Sequence, residues 1–454
     1  MCVGRARDCA RFTAATRIAR SWAPVQPLEL LPSPEWLCPP RRAKGTELNA
    51  NDVEVIIFIQ VAGLKMKNII SRRELVLRTP LAIGGMILTR PLLSFGADDD
   101  FAIPGKEGMI VRSPRFLDLE MPVEYANSFI TPVKHFFVRN HMHEPSTLDL
   151  GQWRLTVSGE VERSMTFTHA ELTKMEQHTV INTLECAGNG RAFAVPHVPG
   201  VQWEKGAIGT ARFSGPRLRE VLQRAGVKPT GKQVMFRGLD EVPGKVPPFI
   251  RSIPMEKASD GDTLVALRMN DSPLTKHHGW PARALVPGWI GAASCKWLSE
   301  IKVLDKEFEG NFMSPGYRMP NMAVKPGEAV RVEDTHPATA LNVKSMITSP
   351  RAGASVKSRM VIRGVAWAGE ADIAKVEIST DAGRTWQSAQ LAKEQSHYAW
   401  RLWSYSWNAL RPGSYVISSR ASDSKGRIQP DSVEWNPSGY LINVIDRVQI
   451  NVQA

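Results

Sequence analysis

Between residues 360 and 419 the apolar positions recur at every second residue in short runs, 360–367, 375–379 and 414–419, and no helical period interrupts them. Turn signals such as Asp381-Ala382-Gly383, just ahead of Trp386, separate the runs. Such runs bury their apolar side only by pairing into sheets that face one another. Their spacing suits an immunoglobulin-like β-sandwich of about 110 residues. The segment 334–341, DTHPATAL, reads as the linker that opens it, which places this domain at 336–454. Ahead of the linker, short strands and helices mix among many Gly and Pro residues, the pattern of an α+β domain spanning 98–335. Within it, 153–159 (WRLTVSG) alternates as a half-buried strand, and 217–225 (RLREVLQRA) sets Leu218, Val221 and Leu222 at helical spacing. Two domains also suit a chain of 454 residues, which exceeds what one core usually supports.

Residues 1–97 carry 14 Lys and Arg against 7 Asp and Glu, so they hold +7 of the chain's net +12. The remaining +5 contains no basic run and no nucleic-acid motif, so an anion-handling surface is the most that it supports and no nucleic-acid partner is expected. From Met66 the chain reads as an export leader. Ser71-Arg72-Arg73-Glu74-Leu75-Val76 resembles the twin-arginine signal, and the apolar stretch 81–88 is too short for a membrane span of about 20 residues. That signal implies a protein folded around a cofactor in the cytoplasm and delivered to the periplasm, with no membrane span in the mature chain. Residues 66–97 are then the signal, translation is expected to start at Met66, and 1–65 is expected to be a non-native upstream extension.

Five cysteines occur, and only Cys186 and Cys295 fall where the chain is expected to fold. No C-x-x-C, no haem attachment site and no zinc spacing is present, and two lone thiols exclude a disulfide scaffold. Cys186 lies in Asn182-Thr183-Leu184-Glu185-Cys186-Ala187-Gly188-Asn189-Gly190-Arg191. A glycine-rich turn offers backbone N–H groups, and a guanidinium five residues on favours the thiolate, the form that binds a soft metal. By residue type alone, a buried inert thiol remains the more common outcome.

Several longer segments bear on that choice. The turn around Cys186 resembles the molybdenum-ligand motif of the sulfite oxidase family of molybdopterin enzymes. The stretch 136–141 (FFVRNH) resembles the first cofactor segment of that family, and 277–288 (HHGWPARALVPG), followed by Ser294-Cys295-Lys296-Trp297, resembles the second. The likeness runs from about Met121 to the C-terminus. It implies that Cys186 is the single protein ligand to molybdenum. Phe137, Val138, Arg139, Asn140, His141, Asp240, His278, Arg283, Ser294, Cys295 and Lys296 match positions that hold the pterin and its phosphate. It further implies that Arg139, Arg191 and Arg447 bind the anionic substrate. Trp203 would then form the pocket wall, Tyr317 would stand beside the oxo group, and His141 would tune that network. Because Arg447 lies far toward the C-terminus, the sandwich is expected to complete the active site.

The implied activity is oxidation of sulfite to sulfate by oxygen-atom transfer with the molybdenum cofactor. Neither a haem nor a flavin is expected in this chain, so electrons would pass to a c-type cytochrome, and a homodimer is expected. Gly190 departs from a basic residue found there in animal members, which reduces the charge beside Arg191. A sulfane dehydrogenase subunit of a thiosulfate-oxidising system is the nearest alternative, with assimilatory nitrate reductase behind it. A non-catalytic exported binding protein is the alternative from another class.

Overall fold

The computed structural model describes residues 103–453, together with the backbone of a short hairpin that pairs Ile56–Val61 with Leu64–Ile69. Apart from that hairpin, the upstream extension and the export signal lie outside the described residues. Among the described residues no helix is long and apolar enough to cross a membrane.

The first half of residues 103–453 is built on two sheets. A five-stranded sheet runs in the order Ile250–Pro254, Gln233–Gly238, Leu298–Leu304, Leu155–Gly159, Met165–Phe167. Its one parallel pair joins Leu298–Leu304 to Leu155–Gly159. The helix Leu218–Ala225 buries Leu218, Val221, Leu222 and Ala225 in the same core. That stripe follows from apolar spacing at 3.6 residues per turn. A four-stranded antiparallel sheet pairs His178–Glu185 with Ile208–Gly215 and carries two short strands beyond. His178–Glu185 alternates at first and is then buried on both faces over its last four residues, so it delivers Cys186 straight into the interior.

The expected α+β character holds only in part. Among the described residues the α-helices are three short ones, Leu218–Ala225 being the longest, and the half is mostly sheet. Gly and Pro punctuation, read as a sign of alternating helix and strand, here marks the turns between strands instead.

The C-terminal half consists of two sheets enclosing one core. One orders Lys344–Ser349, Arg359–Trp367, Arg401–Asn408 and Gln390–Leu391; the other orders Ser355–Val356, Asp446–Val452, Gly413–Asp423, Ile373–Ser379 and Gln387–Ser388. Ile347, Ile362 and Trp403 from the first meet Val376, Ile417, Val448 and Ile450 from the second. The period-2 runs of the sequence supply these inward positions. A further apolar cluster joins the halves, since Ile208, Ile290 and Tyr317 pack with Val365, Trp367 and Trp400.

Candidate molybdenum cofactor site

Cys186 opens a turn that favours glycine at two places. A Cβ on Gly188 would stand 2.5 Å from the Arg191 guanidinium, and Gly190 has φ of +99°. The turn is held from the other half of the chain. Leu441 N donates to Ala187 O at 2.8 Å, and Arg191 Nε donates to Ser438 O at 2.8 Å. Burial pushes the Cys186 thiol up, and Arg139 and Arg191 pull it back toward the thiolate.

The sulfur lines a cavity with about 700 Å³ of empty space, open solvent at its mouth included. Around it stand Phe137, Arg139, Asn140, His141, Asp240, His278, Arg283, Ser294, Cys295, Lys296 and Tyr317, so the structure gathers segments that are more than a hundred residues apart. Val138 is buried and pairs with Leu119 rather than facing the cavity. Trp203 is fully buried in the apolar cluster that includes Cys186, Phe136 and Phe137, and its Nε1 has no hydrogen-bond partner. Arg191 lies behind the turn, its Nη1 donating to Val201 O at 3.0 Å and its guanidinium 5.3 Å from the Tyr440 ring centre.

Arg447 is not brought to this cavity. It lines a separate one with Lys205, Lys344 and Asp446, and its guanidinium pairs with Asp431. The cause is strand alternation: in Asp446–Val452 the even-numbered residues face the core and Arg447 faces out. The residue that the C-terminal half does bring is Tyr440, whose ring stacks on Tyr317 with centres 5.2 Å apart and planes 1° apart.

One end of the cavity is strongly cationic. Lys296 Nζ donates to Asn140 Oδ1 and, at 2.8 Å, to His277 O; Asn140 in turn donates to Glu144 at 3.0 Å. Glu144 also holds His277 Nδ1 at 3.0 Å. Lys106, which belongs to no motif, donates to Val133 O, Phe136 O and His278 Nε2 at 2.6, 2.7 and 2.8 Å. Burial first, and the Lys296 charge second, bring Lys106 down to about 7. Burial first, with the Arg283 charge beside it and against the pull of Glu144, brings Lys296 to about 7. Burial likewise lowers Arg283 to about 10, its Nε left without a partner. Burial raises Asp240 to about 6.

This donor set fits a pterin carrying a phosphate. Clustered ammonium, guanidinium and imidazole groups whose charges are held down by burial call for an anion, and phosphate is the geometry that such donors match. Among the described residues no group of three or more His, Cys, Asp or Glu side chains is placed to hold a metal.

Residues 141–312 match the oxidoreductase molybdopterin binding domain, and residues 335–453 match the Mo-co oxidoreductase dimerisation domain. The chain is 36% identical over 364 residues to sulfite oxidase of Gallus gallus, covering 76% of this chain and 79% of that one. The chain belongs to the sulfite oxidase family. As a member of that family it is a molybdopterin-dependent oxidoreductase, and the molybdenum cofactor is its prosthetic group. It is 36% identical over 359 residues to mitochondrial sulfite oxidase of Rattus norvegicus, with 75% of this chain covered. It spans 65% of that rat protein's length and 62% of the Drosophila melanogaster one. Its structure is similar to the sulfane dehydrogenase SoxCD of Paracoccus pantotrophus, with TM-score 0.65 and 29% identity over 75% of this chain and 88% of that one.

Proposed function

We propose that this family member oxidises sulfite to sulfate, with Cys186 as the protein's ligand to molybdenum. The observation that carries the reading is the shared cavity: the Cys186 sulfur, the Arg139 guanidinium and the Tyr317 phenol line one space. When bound, the molybdenum cofactor supplies the oxygen-atom transfer and takes up the two electrons. Lys296, Arg283 and His278 hold the pterin and its phosphate. Arg139, fixed by Asp118 at 3.2 Å, presents a guanidinium to the oxyanion. Burial and the nearby cations keep His141 neutral, its Nε2 shares a hydrogen bond with the Tyr317 hydroxyl, and the pair orients the substrate. Trp203 and the aromatic cluster exclude water, which strengthens every charge interaction in the cavity.

On this reading residues 98–335 carry the reaction and 336–454 form an immunoglobulin-like sandwich that serves a homodimer. Electrons leave to a c-type cytochrome, and the protein works in the periplasm after twin-arginine export. The test is to express the chain in a host competent to make the cofactor and measure molybdenum, pterin and sulfite-dependent reduction of cytochrome c in wild type and Cys186→Ser. The expected result is loss of metal and activity together in the variant. A metal-free wild type would instead favour a binding protein.

The likeness to the SoxCD sulfane dehydrogenase supports a second reading, in which the sulfur is carried on a protein partner. Failure to oxidise free sulfite by a molybdenum-loaded enzyme would favour it.

A further inference from the structure

Arg251 sits in the strand Ile250–Pro254 and is only 2% exposed. Its guanidinium carbon lies 4.9 Å from the centre of the Tyr317 ring, and Nη1 donates to the carbonyl of Phe312. Its Nε is buried without any acceptor. Among the described residues no carboxylate pairs with it. Glu307, the acid whose charge it feels, lies 3.9 Å from Arg318 instead. Arg139 differs in having Asp118, and Arg191 in having two main-chain carbonyls on its guanidinium.

A guanidinium removed from water is costly, and among the described residues one carbonyl and one ring face are all that offset it, with no opposite charge. Uncompensated buried charge of this kind collects where an anion arrives. We propose that Arg251, standing behind Tyr317, is the positioning residue whose charge holds a doubly charged sulfur oxyanion against the Tyr317 hydroxyl, the part that the family resemblance implies for Arg447. This inference rests on the oxyanion reading of the site. Arg251 does not line the cavity itself, so it acts through Tyr317. A cation over the ring face fixes the phenol and makes its hydroxyl a stronger donor, while the low dielectric carries the positive field on to the substrate. The backbone of Tyr317 supports the same role, since its φ of +57° is strained for a bulky residue and is held by the packing around it.

The test uses molybdenum-loaded enzyme and sulfate, the product dianion, as the probe, titrated by calorimetry into wild type, Arg251→Met and Arg251→Lys, with molybdenum and pterin content measured for each. Arg251→Met is expected to keep metal and pterin, to bind sulfate about tenfold or more weakly, and to raise the sulfite KM more than it lowers kcat. Arg251→Lys, which keeps the charge, is expected to recover most of the sulfate affinity. A metal-loaded Met variant that binds sulfate like wild type overturns the proposal. So does loss of pterin from both variants, which would assign the charge to the cofactor. If the Met variant does not fold, Arg251→Gln carries the same comparison, because it retains a donor for Phe312 without the charge. A loaded wild type that binds no sulfate overturns the oxyanion reading itself, an outcome separate from equal binding by wild type and variant.

Discussion

The phenol of Tyr317 reaches Nε2 of His141 at 2.5 Å, a contact that joins the first cofactor segment to a residue 176 positions further along. His141 is stacked on Phe249, ring centres 4.0 Å apart, so its ring cannot swing to follow a displaced partner. Tyr317→Phe removes this hydrogen bond and leaves the ring stack with Tyr440 in place. The expected outcome is a fall in kcat for sulfite of about tenfold to a hundredfold, with molybdenum and pterin content unchanged. Metal analysis alongside steady-state kinetics checks both halves of that statement.

Arg447→Met is expected to leave the sulfite KM within about twofold of wild type and to cost no more than about 1 kcal/mol of stability. Its side chain is 40% exposed, and that of its partner Asp431 is 81% exposed, so the pair is solvent-screened, and Arg447 lines a different cavity from the one that holds Cys186. Sulfite kinetics and thermal melting of the variant decide the matter. A large rise in KM would return Arg447 to the substrate pocket.

These two residues show what was legible in the sequence. Cys186, His278, Arg283 and Lys296 lie in contiguous motifs whose turns are set locally by glycine and proline, and all four meet in one cavity. The surroundings of Arg447 argue against the place that the resemblance implies for it: in DRVQINV the alternation of Val448, Ile450 and Val452 sends Arg447 to the opposite face. Lys106, Glu144 and Arg251 were missed for a different reason. Each is a single polar residue outside any motif, brought to the site only by long-range packing, and for Lys106 and Glu144 no local pattern distinguishes it from a surface charge. A signal for Arg251 did exist, since it sits inside the apolar run FIRSIP, where a solvated charge has no place.

The packing of the Cys186 turn predicts a stability effect. Gly188→Ala would put a methyl group 2.5 Å from the Arg191 guanidinium, which is itself hemmed in by the carbonyls of Ser438 and Val201. Arg191 must then shift and give up at least one of those hydrogen bonds. The expected cost is about 1 to 3 kcal/mol, read as a lowered melting temperature, together with reduced molybdenum retention. Gly105→Ala, where a Cβ meets nothing within 4 Å, serves as the comparison, although its φ of +77° carries its own backbone strain.

The two depressed lysines make the cofactor-free protein sensitive to pH in a direction that can be derived. Lys106 and Lys296 each titrate near 7 in the folded chain and near the ordinary 10.5 when unfolded. Between those values the unfolded chain binds more protons than the folded one, so stability rises with pH across that window. Below about 7 both states are protonated, and the full penalty of two buried charges is present. The cofactor-free protein is therefore expected to melt at a higher temperature at pH 9 than at pH 7, and Lys296→Met is expected to flatten that rise. A bound phosphate supplies the missing negative charge and restores the lysines toward their ordinary range, so the loaded enzyme should show a smaller rise. Melting curves of both forms over pH 7 to 9 check this. A cofactor-free protein that loses stability over that interval would mean that the cationic end of the cavity is solvated and not built for an anion.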